Sequence, residues 1–285
     1  MAEPESAECV LDYLAIGHVT RDLVDGGFTI GGTVSYAART AQALGCRVGI
    51  VTSASPDLDL SQALAHMLIA RTPAATTTTF ENIYTPGGRR QMLHTTAETL
   101  VPAMVPPDWA ISPGGVVHLG PVAQECDPAL INAFGDVFVG LTPQGWMRRW
   151  DQARRVSRCR WESAEPLLAR ADAVVLSEED VAGEALVDQY AAQTRVLALT
   201  QGAAGCTVYM DGQSRHVPAP TVREVDATGS GDVFAAAFFF WLRRSGDPWT
   251  AARFANCVAA QSVTRVGLSG TPTPDEVARC ERALR

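Results

Sequence analysis

The sequence predicts an α/β domain with a mainly parallel central sheet, helices on both sheet faces and a small β lid. Three observations carry this. Short apolar runs alternate with helical segments over most of the 285 residues. A β-branched, polar hairpin over 76–96 breaks the alternation and has no apolar face to bury, which puts it outside the core as a lid or edge. An apolar run over 233–242 follows directly on a glycine-rich turn and is too short to cross a membrane, so it reads as a buried helix.

In chain order, 11–16 reads as a buried strand ending in Gly17, with Asp22 in the loop beyond it. Residues 33–44 carry a helical stripe (Ala37, Thr40, Ala41, Leu44) that Gly45 can terminate. A strand over 47–52 and a helix over 57–66 follow, then the hairpin around Pro86-Gly87-Gly88. From 115 on, strands are expected over 115–119, 136–141, 173–176 and 195–199, with helices near 127–133, 162–170 and 178–192 between them. A DG turn joins 206–210 to 214–217 as a hairpin, and helices over 230–244, 248–264 and 274–283 close the chain. No internal repeat or linker divides it, so 1–285 is read as one domain, with lid segments near 20–32 and 76–96 and a flexible acidic tail over 1–9. That tail does not read as a signal peptide.

Composition narrows the function. The formal net charge of −8 argues against nucleic-acid and anionic-membrane partners, because no basic surplus exists to neutralise phosphates in bulk. There is no lysine: all 23 cations are arginine. Schiff-base chemistry, a pyridoxal anchor and the P-loop lysine are therefore excluded, and any phosphate must be held by arginine, backbone N–H, hydroxyls or metal. The seven scattered cysteines have no C-x-x-C pair and read as reduced thiols of a cytoplasmic protein. The five histidines show no ligand spacing and read as structural or surface residues.

The chemistry concentrates at 225–242, VDATGSGDVFAAAFFFWL. Gly229, Ser230 and Gly231 form a tight turn at a helix start, where free N–H groups and the helix dipole make an anion hole. Asp232 lies beside it in the first helical turn, placed to take the proton of a hydroxyl that attacks a phosphoryl group. Arginine pairs at 89–90 in the lid hairpin and 148–149 after a strand end are further candidates for anion or acceptor contacts.

Three blocks together resemble the ribokinase-like (PfkB) carbohydrate kinases over nearly the whole chain: Gly31-Gly32 before a helix, LTQGAAG over 199–205, and DATGSGD with its apolar helix. Gly-Gly-x-x-Ser-Tyr and the SEED loop over 177–180 look nearest the myo-inositol kinase branch. The resemblance implies a ribokinase-like, Rossmann-like three-layer α/β sandwich with a β lid over the acceptor. It implies transfer of the ATP γ-phosphoryl group to an alcohol, with Mg²⁺ on the donor and a place for K⁺. Asp232 would be the base and Gly229, Ser230 and Gly231 the anion hole. Asp22, Gly31, Gly32 and Tyr36 would meet the acceptor, and Thr200, Gly202, Gly205 and Asn256 the nucleotide. The family's N-x-x-E motif falls on Ser177-Glu178-Glu179-Asp180, with Ser for Asn and Asp for Glu, so the metal role would fall to Asp180, shared with Glu178 or Glu179. Asp226 and Thr228 match a monovalent-cation loop.

The preferred acceptor is a sugar or inositol-like polyol. Two alternatives remain open: a nucleoside acceptor, stacked on Phe28, Tyr36 or Phe80, and a catalytically silent ligand-binding protein on the same fold. The lid either covers only its own site or pairs its edge with a second copy as a homodimer.

Overall fold

The computed structural model describes residues 9–85 and 88–284. The tail over 1–8 and the two residues at the tip of the expected hairpin lie outside them. The chain begins with β1 (Cys9–Ile16), β2 (Thr20–Val24), β3 (Gly27–Gly31), α1 (Thr33–Ala43), β4 (Val48–Ala54) and β5 (Leu68–Pro73). The hairpin follows as β6 (Thr79–Thr85) and β7 (Gly88–Thr95), then β8 (Trp109–Leu119), β9 (Phe138–Leu141), β10 (Arg148–Trp150) and β11 (Val156–Arg158). The second half contributes α2 (Ala164–Arg170), β12 (Ala173–Ser177), α3 (Glu184–Ala191), β13 (Leu197–Thr200), β14 (Cys206–Met210) and β15 (Gln213–Val217). Helices α4 (Ser230–Ser245), α5 (Pro248–Ser262) and α6 (Pro274–Ala283) complete it.

Nine strands form the central sheet in the order β15-β14-β13-β12-β9-β8-β1-β4-β5. All pairings are parallel except those of β14 with its two neighbours. Alternation along β1 assigns its residues to two cores, as the pleat requires. Tyr13 and Ala15 face α1, α4 and α5, whereas Leu14 and Ile16 face α2, α3 and a 3₁₀ turn at Pro128–Asn132. The first face is thick with helix. The second is thin, since α2 and α3 have only seven and eight residues.

The lid is a separate four-stranded sheet, β3-β2-β6-β7, so 20–31 and 79–95 meet in space although far apart in sequence. Its β7 edge is met by the β10–β11 hairpin: the Leu93 N–H donates to the Arg154 carbonyl at 2.9 Å, and Met92 bridges Arg155. Phe80 and Leu93 of the lid pack with Val122, Ala123 and Val156 in a small third cluster.

Several expectations are corrected. Residues 57–66 form turns, not a helix, and the apolar residues Leu58, Leu60 and Leu64 fill the core from an irregular segment. Strand β5 and the β10–β11 hairpin lack apolar alternation and escape the sequence pattern. Residues 178–183 form a turn, with helix only from Glu184. The seven cysteines are not all thiols: Cys257 and Cys280 form a disulfide joining α5 to α6 across 23 residues of sequence. Helical spacing on two separate helices, not a local motif, brings them together.

Closing a loop of that length stabilises the fold by about 2–4 kcal/mol. Reductant should therefore lower the denaturation midpoint of the native chain. The Cys257→Ser/Cys280→Ser variant should start lower and be indifferent to reductant. An unchanged midpoint under reduction would show that the bridge adds nothing.

Candidate active site

Helix α4 starts at the carboxyl ends of the parallel strands. Its N-cap, Gly229, is left-handed at φ +77° and ψ −1°. A Cβ there would collide with the Tyr36 ring of α1, so both the dihedral and the close approach require glycine. No side chain caps α4, which leaves first-turn N–H groups around Gly231 and Asp232 directed at the strand ends. The Ser230 N–H itself closes the turn onto the Ala227 carbonyl at 3.1 Å.

Asp232 sits half-buried in that first turn. Burial pushes its carboxyl up to about 6; the Thr33 hydroxyl and Arg148 pull against the rise, and Asp180 and Asp22 add to it. Four segments thus converge on one carboxylate: the lid strand β2, the start of α1, β10 and the turn after β12. Asp180 is itself raised by burial and opposed by Arg148 and by Gln144, whose amide donates to it at 3.3 Å. Arg148 is half-buried, with its guanidinium 5.8 Å from the Phe80 ring centre and an N–H to the Val122 carbonyl at 3.3 Å. It is the cation that joins lid and carboxylates. Arg149 and Arg90 are exposed, and the Arg89 side chain lies outside the described residues.

Among the residues expected to meet the acceptor, Asp22 accepts from the Thr20 hydroxyl at 2.8 Å and lies against Gly31, where any Cβ would strike its carboxylate. Gly32 caps α1 under the His18 carbonyl. Tyr36 is only 4% exposed and lies beneath Gly229, so it forms the floor of the anion turn rather than an open acceptor surface. Burial, then Asp22, Asp232 and Asp226, raise its hydroxyl and keep it protonated. Of the aromatics considered for stacking a base, Tyr36 and Phe80 are buried, whereas Phe28 is exposed, with the Arg21 guanidinium 4.8 Å from its ring centre.

Among the residues expected to meet the nucleotide, the Thr200 hydroxyl donates to the Leu176 carbonyl at 3.2 Å. Gly202 opens a 3₁₀ turn, and Gly205 lets that turn press against the backbone of Val217 and Ala219. Asn256 departs from its expected place. It is 4% exposed, and its amide donates to the Val217 carbonyl at 2.8 Å, so it pegs the loop from beneath. Asp226 accepts from the Thr228 N–H at 2.9 Å and the Gly267 N–H at 2.8 Å, which hold its carboxyl low against the opposing effect of burial and tie the turn to 267. Glu178 is exposed, whereas Asp180 faces the site. Among the described residues no three acidic, His or Cys side chains cluster as a metal cage. That donor set suits a hard cation carried mainly on phosphate and water.

Sequence reasoning missed Glu125. It is 4% exposed and accepts from the His18 N–H at 2.9 Å and the Ala123 N–H at 2.6 Å, tying the loops after β1 and β8 together at the site. Neither its neighbours nor its spacing signal this. His18 is fully buried between the Thr78 hydroxyl at 2.7 Å and the Glu98 carbonyl at 2.8 Å.

Residues 164–276 match the pattern of the pfkB family of carbohydrate kinases. A fructokinase of Klebsiella pneumoniae is 28% identical over 204 residues, 63% of this chain and 64% of the relative. The chain thus spans less than two thirds of the curated relatives it matches first. A pyrophosphate-dependent kinase of the ribokinase family, solved with a pyrophosphate analog and myo-inositol, superposes with a TM-score of 0.77 at 21% identity over 94% of this chain and 99% of its own. Ribokinase from Thermotoga maritima does so at 0.70 and 18% over 95% and 99%. At these identities the structures establish a ribokinase-like fold. No helix among the described residues is long and apolar enough to cross a membrane.

Carboxyl ¹³C NMR should find Asp232 titrating near 6, with Thr33→Val moving it upward because the hydroxyl favours the ionised form. Titration in the usual range near 4 would contradict the packing described. Because the folded pKa is raised, the contribution of Asp232 to stability is lost as pH climbs from about 4 through about 6. At pH 7.5 Asp232→Asn should accordingly stabilise the fold, on the order of 1–2 kcal/mol.

Proposed function

We propose a reaction from one premise: the chain carries a pfkB family carbohydrate kinase domain. It transfers the γ-phosphoryl group of ATP to a hydroxyl of a small sugar or cyclic polyol. The observation that best supports this is Asp232, a carboxylate raised to about 6 beside an uncapped helix N-terminus, with Arg148 close by. At neutral pH such a group is ionised yet more basic than an exposed aspartate.

Asp232 takes the proton of the acceptor hydroxyl as its oxygen attacks the γ-phosphorus. The bond from phosphorus to the bridging oxygen breaks, and ADP leaves with that electron pair. The first-turn N–H groups of α4 and the Arg148 guanidinium meet the charge on the transferring oxygens. Thr33 orients the carboxylate. Asp22 and the backbone at Gly31 and Gly32 bind acceptor hydroxyls, and Tyr36 supports the turn from below. Thr200, Gly202 and Gly205 border the donor. Asp180, with Glu178 beside it in the turn after β12, would help hold a Mg²⁺ ion brought on the donor phosphates, and that ion would supply charge neutralisation for the transfer. Asp226 and Thr228 shape the loop at which K⁺ would act. The lid excludes water from the transfer.

A second reading changes the donor. The buried Asn256 amide and the pyrophosphate-dependent structural relative favour a donor recognised through its phosphates alone.

The test is product formation over a panel of fructose, ribose, myo-inositol and adenosine, each with ATP and with pyrophosphate in the presence of Mg²⁺. Turnover of a sugar or polyol is expected, and Asp232→Asn should lower it about 10²–10⁴-fold. Preference for adenosine would move the acceptor to a nucleoside. ATP binding without turnover of any acceptor would identify a ligand-binding protein instead. Full activity in Asp232→Asn would remove the base from its role.

A further inference from the structure

A cavity of about 1220 Å³ lies beside the carboxylates rather than over them. It occupies the thin face of the sheet, between the β10–β11 hairpin, the start of α2 and the segment leading into α3. Three guanidiniums line it: Arg149, Arg158 and Arg160. None of the three is ion-paired with a carboxylate among the described residues. The contacts that Arg149 and Arg158 make are long and neutral, to the Ser157 hydroxyl at 3.4 Å and the Val181 carbonyl at 3.4 Å. In a chain of net charge −8, a concavity lined by three arginines against two carboxylates, Glu162 and Asp180, is a local basic surplus. Of the two carboxylates, Asp180 is engaged by Gln144.

The cavity is built on rigid parts. Trp146 and Trp161 stack in its wall at 5.5 Å and 10°. The Trp161 indole N–H is buried there with no acceptor among the described residues. The hairpin is pinned at its turn, where Asp151 accepts from the Arg155 N–H at 2.9 Å and its guanidinium at 2.8 Å. The wall is also shared with the carboxylate site. Asp180 borders the cavity and acts on Asp232, and Gln124 on the cavity side donates to the Arg148 carbonyl.

We propose that this cavity is a second anion site, separate from the turn at Gly229–Gly231, and that it takes a compact polyanion bearing two or more phosphate groups. Guanidiniums grip phosphate oxygens in pairs, and three of them around a space larger than one phosphate suit a linked chain of phosphates. Two sources share that chemistry: the phosphate tail of a nucleotide and a free inorganic polyphosphate. Binding here needs no phosphoryl transfer, so the site stands or falls independently of the proposed reaction.

Isothermal titration of the full chain with inorganic tripolyphosphate, pyrophosphate, ATP and adenosine, without metal, tests the site. Tripolyphosphate should bind the native chain and bind Arg158→Ala/Arg160→Ala at least about tenfold more weakly. Both arginines are exposed, so the double variant should keep the native unfolding midpoint. Gly231→Asp sets a carboxylate at the α4 N-terminus, where a Cβ meets nothing within 4 Å. It should lower tripolyphosphate affinity far less than the double arginine variant does, because Gly231 does not line the cavity. Competition by ATP but not adenosine would identify the nucleotide tail as a ligand, and tripolyphosphate binding without ATP competition a free polyphosphate. No binding to the native chain, full binding to the double arginine variant, or as large a loss in Gly231→Asp would each overturn the proposal.

Discussion

The contact between Gly229 and the Tyr36 ring fixes where helix α4 begins, and the site depends on that start. With no Cβ in the way, the turn settles onto α1 and α4 enters the core immediately, burying Val233 to Phe239. The same contact forces the helix to start uncapped at the strand ends. An open helix N-terminus and a carboxylate one turn into it are therefore consequences of a packing constraint. A longer or capped entry would satisfy the N–H groups and move Asp232 out of reach of Thr33 and Arg148.

Electrostatics then raise the proton affinity of the carboxylate. Burial raises Asp232, and Asp180 and Asp22 hold it raised, while Thr33 and Arg148 keep the ionised form accessible. A chain without lysine concentrates this balance in one guanidinium. Arg148 spans a lid aromatic, a loop carbonyl and two carboxylates, so together with Asp22 of β2 it links the position of the lid to the charge state of the site.

The β10–β11 hairpin extends that linkage. Its tip meets the β7 edge of the lid, Val156 joins the cluster under Phe80 and Leu93, and Arg149 and Arg158 face the cavity on the thin side of the sheet. One short hairpin thus borders the lid, the carboxylates and the arginine cavity.

Much of this was legible in the sequence. The alternating strands, the last three helices and the turn at 229–231 are written in local apolar spacing and glycine placement, because burial and backbone conformation act over a few residues. The lack of lysine assigned phosphate handling to arginine and backbone before any fold was known. Other features arise only when distant segments meet. Residues 57–66 have the composition of a helix but fill the core as turns, and Cys257 finds Cys280 through helix packing. Asn256 turns inward to peg a loop, Tyr36 becomes a floor, and Glu125 gathers N–H groups from two strand ends. The sequence alone determined most of the strand and helix alternation and the residue types available for phosphate chemistry. Tertiary structure alone decided which of those side chains face the site, because contacts between distant segments set burial, and burial sets both the partners and the proton affinity of each group.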